Sequence, residues 1–228
     1  MSSDNVFERL FRQMASIYKM VVDGIRDPGQ VSCFLQDIID DGGDKTTQLI
    51  SWRSFYRAYF GIELDLSSVK ILNHQQGFNR LIVVFQGLTL NQVCDMCQKY
   101  FGCACYTRDL TVEYKDRNDR EPMQTYAVWI RNRKEADVEL RWLSANQLKD
   151  RKIQGITLLE RLLYGLKYFS ETGRHPDIQN WTLCIGSQNS EGNVPCVGWE
   201  NANGIKILLF KSDNPCENVS SRAVIPCQ

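Results

Sequence analysis

The sequence predicts an α+β protein in which helices come first and β-strands come last. Three observations support this fold class. Residues 1–61 carry apolar residues at helical spacing. The stretch from Gly155 to Trp181 has the pattern of a long amphipathic helix, and the chain after it consists of short β-rich runs separated by glycine, asparagine and serine. We therefore expect a helical N-terminal region, residues 1–61, and an α+β domain, residues 62–228.

The long helix is the most clearly marked element of the chain. Thr157 and Glu160 have the spacing of a capping box, in which each side chain binds a backbone amide at the helix start. Gly173 supplies the left-handed residue that commonly ends a helix. An apolar stripe runs between them: Leu159, Leu162, Leu163, Leu166 and Phe169. This pattern predicts a helix from Thr157 to Ser170 with one face in the core.

The N-terminal region is predicted to contain three helices. They span about Val6 to Val21, Val31 to Ile39 and Thr47 to Phe60. Asp27, Pro28 and Gly29 form a turn signal between the first two. We interpret the region as a small packed bundle, and a partner-docking face rich in aromatic residues is the alternative.

The middle of the chain mixes strands and helices. Arg80 to Gln86 is a continuous β-rich run, and Tyr106 to Tyr114 is a second strand candidate. Thr89 is placed to cap a helix from Leu90 to Phe101 that ends at Gly102.

A strand and two short helices precede the long helix. Tyr126 to Arg131 is predicted to be the strand, Glu135 to Leu143 a charged short helix, and Ser144 the cap of a helix that ends near Asp150. After the long helix, the strand candidates are the runs TLCIGS, VPCVGWE, GIKILLF and SRAVIP.

Composition narrows the class of protein. Lys and Arg together number 27, as do Asp and Glu, so the chain has no net positive charge that would attract nucleic acid. The N-terminal residues lack the apolar core of a signal peptide, and no apolar run approaches membrane-spanning length. We therefore expect a cytoplasmic protein with no membrane span and no nucleic-acid partner.

Cysteine is unusually frequent, with nine residues. Four of them are clustered at the end of the predicted middle helix: Cys94, Cys97, Cys103 and Cys105. Clustered thiolates can hold zinc or an iron–sulfur cluster. The first two lie inside the helix and the other two follow without a standard knuckle, so we expect thiols without a metal or cofactor. The tail cysteines are Cys184, Cys196, Cys216 and Cys227, and their pairing in an oxidising compartment stays open.

Catalytic patterns are lacking in the sequence. His74 and His175 are its two histidines, and neither has a partner at a known catalytic or metal-binding spacing. We interpret His175 as a hydrogen-bonded loop residue. The dense charged stretch from Lys115 to Glu121 is interpreted as a solvated loop, and as part of an enzyme site in the alternative.

The tail has the composition of a binding surface. In the run from Gly204 to Phe210, Ile205, Ile207 and Leu209 would share one face, and Lys206, Leu208 and Phe210 the other. We expect the first face to pack and the second to recognise a ligand. Small polar residues surround it, and Trp199 and Phe210 add rigid aromatic contact area.

Several motifs in one order resemble a known family. YAVWIRNRKEAD, LSANQLKD, GITLLERLLYGLKYFSETGRH, NWTLCIGS and VPCVGWENANGIKI look like a family of uncharacterised bacterial proteins, over about Phe55 to Val224. The layout is similar to the C-type-lectin-like variable proteins that diversity-generating retroelements diversify. The resemblance implies a C-type-lectin-like domain whose fold is constant while exposed positions near the C-terminus change.

The resemblance assigns positions residue by residue. The implied framework is Trp181, Leu183, Val197, Trp199, Ile205, Ile207, Arg222 and Val224. The implied ligand-facing positions are Gln188, Asn189, Asn193, Glu200, Asn201, Asn203, Lys206, Leu208, Phe210, Asn214 and Asn218. A calcium-binding motif of the Glu-Pro-Asn type is lacking, which argues against calcium-dependent sugar binding.

These observations favour a non-catalytic recognition protein that binds an unknown protein or small-molecule ligand through its C-terminal segment. The first alternative is an enzyme or a nucleic-acid-processing accessory with its site near residues 115–121. The second is an adaptor stabilised by zinc at the clustered cysteines.

Overall fold

The computed structural model of the chain describes residues 3–25, 27–28, 45–66, 69, 71–72, 75–200 and 204–227. The chain divides into two compact units, Met1–Asp44 and Lys45–Gln228. In the first unit, helix α1 spans Ser3–Val22, where the sequence predicts one. The predicted helix from Val31 to Ile39 lies outside the described residues. Among the helices that the structure describes, none is both long and apolar enough to cross a membrane.

The third predicted helix belongs to the second unit. Helix α2 spans Lys45–Phe60, and its residues Trp52, Phe55 and Tyr56 are buried in the main core. Trp52 Nε1 donates to Leu81 O at 3.0 Å, and Tyr56 Oη donates to Val83 O at 2.8 Å. These hydrogen bonds hold α2 on the strand that contains both carbonyls, so α2 packs with the α+β unit.

The second unit is of mixed α+β class, as the sequence predicts. Its further helices are α3 (Leu90–Phe101), α4 (Leu110–Glu113), a 3₁₀ turn (Val138–Leu140), α5 (Ala145–Asp150) and α6 (Leu158–Thr172). Its strands are β1 (Arg80–Val84), β2 (Cys103–Ala104), β3 (Tyr126–Ile130), β4 (Trp181–Leu183), β5 (Val194–Glu200), β6 (Gly204–Phe210), β7 (Val219–Ser220) and β8 (Ile225–Pro226).

Two sheets organise these strands. The first has the order β1-β3-β8, and its neighbours are antiparallel. The second has the order β2-β6-β5-β4-β7. Its outer pairs, β2 with β6 and β4 with β7, are parallel, and its inner pairs are antiparallel. The long β5–β6 hairpin is therefore the centre of the second sheet.

Helix α6 lies in the core and contacts β1 of the first sheet and β5 of the second. Its capping box is confirmed: Glu160 N donates to Thr157 Oγ1, and Thr157 N donates to Glu160 Oε2. Gly173 ends the helix in the left-handed conformation, with φ 64°. Every residue from Leu158 to Lys167 is buried. The sequence predicted one buried face, but the helix is buried on every side from Leu158 to Lys167. Two of its charged residues are accommodated there by buried ion pairs, Glu160 with Arg120 and Arg161 with Asp177.

Two predicted elements differ in the structure. The predicted strand from Tyr106 to Tyr114 is wrong, because Asp109 caps helix α4 by accepting from Val112 N at 3.0 Å. The predicted helix from Glu135 to Leu143 is reduced to the three-residue 3₁₀ turn. In both cases a polar side chain forms hydrogen bonds with the backbone, either of neighbouring residues or of a distant segment. Patterns of secondary-structure propensity in the sequence do not reveal such hydrogen bonds.

A buried ion network holds the C-terminal segment onto α6. Asp177 Oδ2 accepts from Arg161 Nε, and Asp177 Oδ1 accepts from Arg222 Nη2, both at 2.7 Å. Arg222 also donates to the carbonyl oxygens of Arg133 and Lys134, at 3.0 Å each. The three charged side chains are at most 1% exposed. Because a buried charge is tolerated only when it is paired, this network fixes the path of the chain around β7.

Candidate functional site

The C-terminal hairpin has a buried framework. Residues 205 and 207 on β6 are buried, as is Val197 on β5. The other members of the implied framework are also in the interior: Leu183, Arg222 and Val224 are at most 5% exposed, and Trp181 and Trp199 are half-buried. The alternation predicted for β6 is therefore present at Ile205, Lys206, Ile207 and Leu208.

The opposite side of the hairpin is only partly open. Val194 and Cys196 face that side and are fully buried in a second hydrophobic cluster that includes Leu148 of α5. Phe210, which pairs with Val194, packs against the same cluster. The prediction of a side wholly free for recognition is therefore too broad, because α5 covers the end of the hairpin near Val194.

Trp181 covers the middle of the hairpin. A Cβ at Gly198 would lie 2.3 Å from Trp181 Cδ2, so the indole ring rests directly on the β5 backbone. Beyond Gly198, Lys206 Nζ donates to Glu200 Oε1 at 3.0 Å, and both side chains are about one-third exposed. We call Glu200, Lys206 and Leu208 the hairpin patch, and all three are half-exposed.

Asn189 is buried, unlike the neighbouring residues that the resemblance assigned to ligand contact. Its Oδ1 accepts from Glu191 N at 3.1 Å and from Asn193 N at 2.8 Å. Gln188 Nε2 donates to Gly192 O at 3.3 Å, within the same turn. Asn189 therefore shapes the turn before β5, whereas Gln188 and Asn193 are half-exposed.

Trp199 is held in an aromatic stack. Its ring lies 3.5 Å from that of His175, nearly parallel to it, and His175 stacks on Phe169 at 4.9 Å. The prediction of a hydrogen-bonded imidazole fails at Nδ1, which has no partner among the described residues. Burial and the nearby Arg161 guanidinium lower the pKa of His175 to about 4. His175 is therefore a neutral packing residue that fixes Trp199.

The remaining implied positions do not form one surface. Gln188, Asn193 and Phe210 lie at the Val194 end of the hairpin, and the hairpin patch lies toward the other end. Asn214 and Asn218 are exposed after β6. Asn201 and Asn203 lie outside the described residues.

The structure brings three of the four clustered cysteines together. The Sγ atom of Cys94 lies 3.3 Å from that of Cys103 and 2.8 Å from that of Cys105, and the last two are 3.7 Å apart. All three side chains are half-buried. Cys97 is fully buried in the main core and stands outside the group. We call Cys94, Cys103 and Cys105 the thiol triad.

The sequence argument against such a cluster missed one feature of the backbone. Gly102 follows α3 with φ 86° and ψ 142°, so the chain reverses and runs back along the helix as β2. Cys103 and Cys105 then point to the same side, as alternate residues of an extended chain do. Gly102, a helix stop immediately before two alternate cysteines, was the signal that could have predicted the triad.

Hydrogen bonds within the triad separate the pKa values of its thiols. The pKa of Cys105 is lowered, because Cys103 and Cys94 donate to its sulfur. The pKa of Cys103 is raised, because its hydrogen bonds to Cys105 and Cys94 favour the protonated form. At Cys94 the hydrogen bond from Cys103 lowers the pKa, but donation to Cys105 and burial outweigh it and raise it. The contacts within the triad therefore favour the thiolate form at Cys105 over that at Cys94 or Cys103.

A cavity of about 280 Å³ lies beside the charged stretch of residues 115–121. Lys115, Asp116 and Glu121 line it together with apolar residues that include Leu159. The stretch is not a solvated loop along its whole length, because Asp119 N donates to Gly186 O at 2.8 Å. The dense charges of residues 115–121 were the feature of the sequence that could have predicted this cavity.

The best-placed charged pair near the cavity is structural. Arg120 donates to Glu160 through Nε at 2.7 Å and through Nη2 at 2.9 Å, and Glu160 is fully buried. Tyr126 Oη donates to the same carboxylate at 3.1 Å. Glu160 also belongs to the capping box of α6. The Arg120–Glu160 pair therefore holds the loop of residues 115–121 in place and does not offer a reactive group. Neither histidine nor cysteine is among the residues that line the cavity.

Comparisons of this chain with protein-family models, with curated proteins and with solved structures found no match. The resemblance described above therefore stays a prediction.

Proposed function

We propose that this protein is a non-catalytic recognition protein, and that the hairpin patch is the centre of its ligand-binding surface. The ligand is a protein or a small molecule that contacts one edge of the β5–β6 hairpin. Glu200 and Lys206 offer one charge of each sign, and Leu208 offers apolar area beside them.

One observation carries the proposal. Along β6, buried Ile205 and Ile207 alternate with half-exposed Lys206 and Leu208. Side chains on the exposed side can change without altering the core, since successive residues of a strand point to opposite faces. The buried Asp177 network supplies a rigid support at the C-terminal end of the same segment.

The proposal includes the finer fold assignment and the diversification. We propose that the second unit is a C-type-lectin-like domain and that a retroelement diversifies its C-terminal segment. A helix enclosed by sheets and followed by a long central hairpin supports this layout. Asn189 leaves the set of variable positions because it builds a turn, and the framework position Trp199 packs on His175.

The cavity supports a second candidate function, the binding of a small molecule. Its walls combine apolar residues with Lys115, Asp116 and Glu121, a mixture typical of ligand sites. The charged lining residues could orient a polar group of the bound molecule while the apolar residues contact its remaining surface.

Sequencing the genome around the gene, together with sibling copies of the gene, tests the proposal. We expect a reverse-transcriptase gene and a near-repeat of the segment that encodes Cys184 to Val224, with differences mainly at adenines. Among siblings, Lys206 and Leu208 should vary while Ile205 and Ile207 stay apolar.

Siblings in which Lys206 and Leu208 never change, in a genome without the near-repeat, would contradict the diversified surface. Variation concentrated on Lys115, Asp116 and Glu121 would instead favour the cavity as the site of recognition.

A further inference from the structure

We propose that Cys94, Cys103 and Cys105 form a zinc site with three protein ligands and one position open to an outside ligand. This inference is independent of the proposed hairpin surface.

The three sulfurs of the triad lie close enough together to bind one metal ion. Zinc–sulfur bonds of about 2.3 Å at tetrahedral angles place two sulfurs about 3.8 Å apart. The triad has separations of 3.7, 3.3 and 2.8 Å, so the sulfurs of Cys94 and Cys105 would have to move apart by about 1 Å for one zinc ion to bind all three. The three cysteines are free thiols in the structure, since every separation exceeds the disulfide bond length of about 2.05 Å.

Ordered backbone supports Cys94 and Cys103, and Cys105 follows Cys103 by two residues. Cys94 lies in the middle of α3, a helix held by the Thr89–Gln92 capping box. Cys103 pairs with Ile205 of β6, and its backbone N–H donates to Gln98 Oε1 at 2.8 Å. The three thiols are thus brought together by elements that are already ordered.

The backbone segments behind the triad are closely packed. Gly204 begins β6 so close to the end of α3 that a Cβ there would lie 2.2 Å from Phe101 O and 2.3 Å from Gly102 O. This close approach fixes the reversal at Gly102 and therefore the position of both following cysteines. A preformed thiol group loses little conformational entropy when it binds a metal ion.

The ligand type favours zinc over the hard cations. Thiolates bind soft and borderline ions, whereas Mg²⁺ and Ca²⁺ require oxygen ligands. Each thiol that is still protonated releases its proton to solvent as its sulfur–zinc bond forms, and no oxidation or reduction takes place. Three half-exposed sulfurs also give the ion a path from solvent. The fourth tetrahedral position is left for water or for a ligand from another molecule.

Metal analysis of the whole chain tests the site. The protein is produced with added zinc, purified without chelator in a phosphine reductant, and analysed by mass spectrometry for metal content. We expect one zinc ion per chain in the wild type, and loss to background in Cys94→Ser and Cys105→Ser. Cys216→Ser is the matched control, because this half-buried cysteine lies outside the triad, and it should retain one zinc ion.

A second measurement needs no variant, in case the serine variants fail to fold. Iodoacetamide labelling of the wild type is followed residue by residue, with zinc and after removal of zinc by chelator. Zinc should slow labelling at the three triad cysteines and leave Cys216 unchanged. Cobalt added to the metal-free protein should give a thiolate-to-metal charge-transfer band.

Several results would overturn the inference. They are a wild type without metal after zinc addition, a zinc content that is unchanged in both serine variants, and copper in place of zinc at one ion per chain. A disulfide within the triad that survives in reductant would do so as well.

Discussion

Replacing Asp177 by asparagine tests whether the buried ion network fixes the C-terminal segment. Both oxygens of this fully buried carboxylate bind an arginine, Arg161 and Arg222, at 2.7 Å. The asparagine keeps the shape of the side chain but leaves two buried guanidinium groups without a counter-charge. Breaking a buried pair by removing one partner costs about 3–5 kcal/mol.

The expected cost lies at the lower end of that range. Arg222 keeps two carbonyl partners, Arg133 O and Lys134 O, after the substitution. We therefore expect a loss of about 3 kcal/mol in the free energy of unfolding, which corresponds to a fall of roughly 6–12 °C in Tm for a chain of this size. Urea unfolding at pH 7 measures the first quantity, and the m value should stay unchanged.

The pH dependence of the difference in stability between the wild type and Asp177→Asn gives a second test. Burial raises the pKa of Asp177, but Arg222 and Arg161 outweigh burial and lower it below its usual value. The stabilisation is therefore present above the unfolded pKa of about 3.9 and is lost as the pH falls through the lower folded pKa. The difference between wild type and Asp177→Asn should be constant from pH 7 to about pH 5 and shrink in stronger acid.

Asp213→Asn is the matched control, because it removes the same charge from an exposed residue of the same segment. It should change stability by less than about 0.5 kcal/mol. If Asp177→Asn loses no more than this control, the network does not hold the segment and the reasoning is refuted.

Three further predictions concern the hairpin and its surroundings. Ile207→Ala should cost about 2–5 kcal/mol in urea unfolding because Ile207 is 1% exposed, whereas Leu208→Ala should cost clearly less; equal losses would contradict the separation into two sides. The lowered pKa of His175 means that stability falls as the pH drops from about 6.5 toward 4, so His175→Phe should flatten the profile of Tm against pH over that window, and an unchanged profile would count against the neutral stack. Gly198→Ala should lower Tm by displacing the Trp181 ring, and a blue or red shift in tryptophan emission should accompany the loss.

Local signals in the sequence predicted most of the helices correctly. The Thr157–Glu160 capping box and the Gly173 stop involve residues within a few positions of one another, and both are present. The tertiary partner of Glu160 could not be predicted, because Arg120 lies 40 residues away in the chain. Capping is a local interaction, whereas ion pairing inside the core depends on the path of the whole chain.

The predicted binding residues show the same limit. The period of a strand predicted correctly that Ile207 is buried and that Leu208 is half-exposed. It gave no means of predicting that α5 would cover Phe210 or that His175 would stack on Trp199. Those contacts join segments that are distant in sequence, so the alternation was present while the extent of the open surface was overestimated.

The thiol triad is a case in which the sequence argument used the wrong geometry. The sequence argument against a metal site was that Cys94 lies inside the predicted helix and that Cys103 follows its end without a standard knuckle. The reversal at Gly102 instead folds the following residues back along α3 and brings the sulfurs within 3.3 Å of each other. A positive φ at one glycine thus decides whether these cysteines are neighbours.

The central claim is that the C-terminal segment combines a fixed interior with replaceable positions on the hairpin patch. Saturation mutagenesis of residues 181–224, with displayed chains sorted by resistance to protease, tests it most directly. We predict that Glu200, Lys206 and Leu208 accept most substitutions, including charged ones, while Ile205 and Ile207 accept only apolar residues. If substitutions at the hairpin patch lower protease resistance as much as those at Ile205 and Ile207, the patch is part of the core and the claim is contradicted.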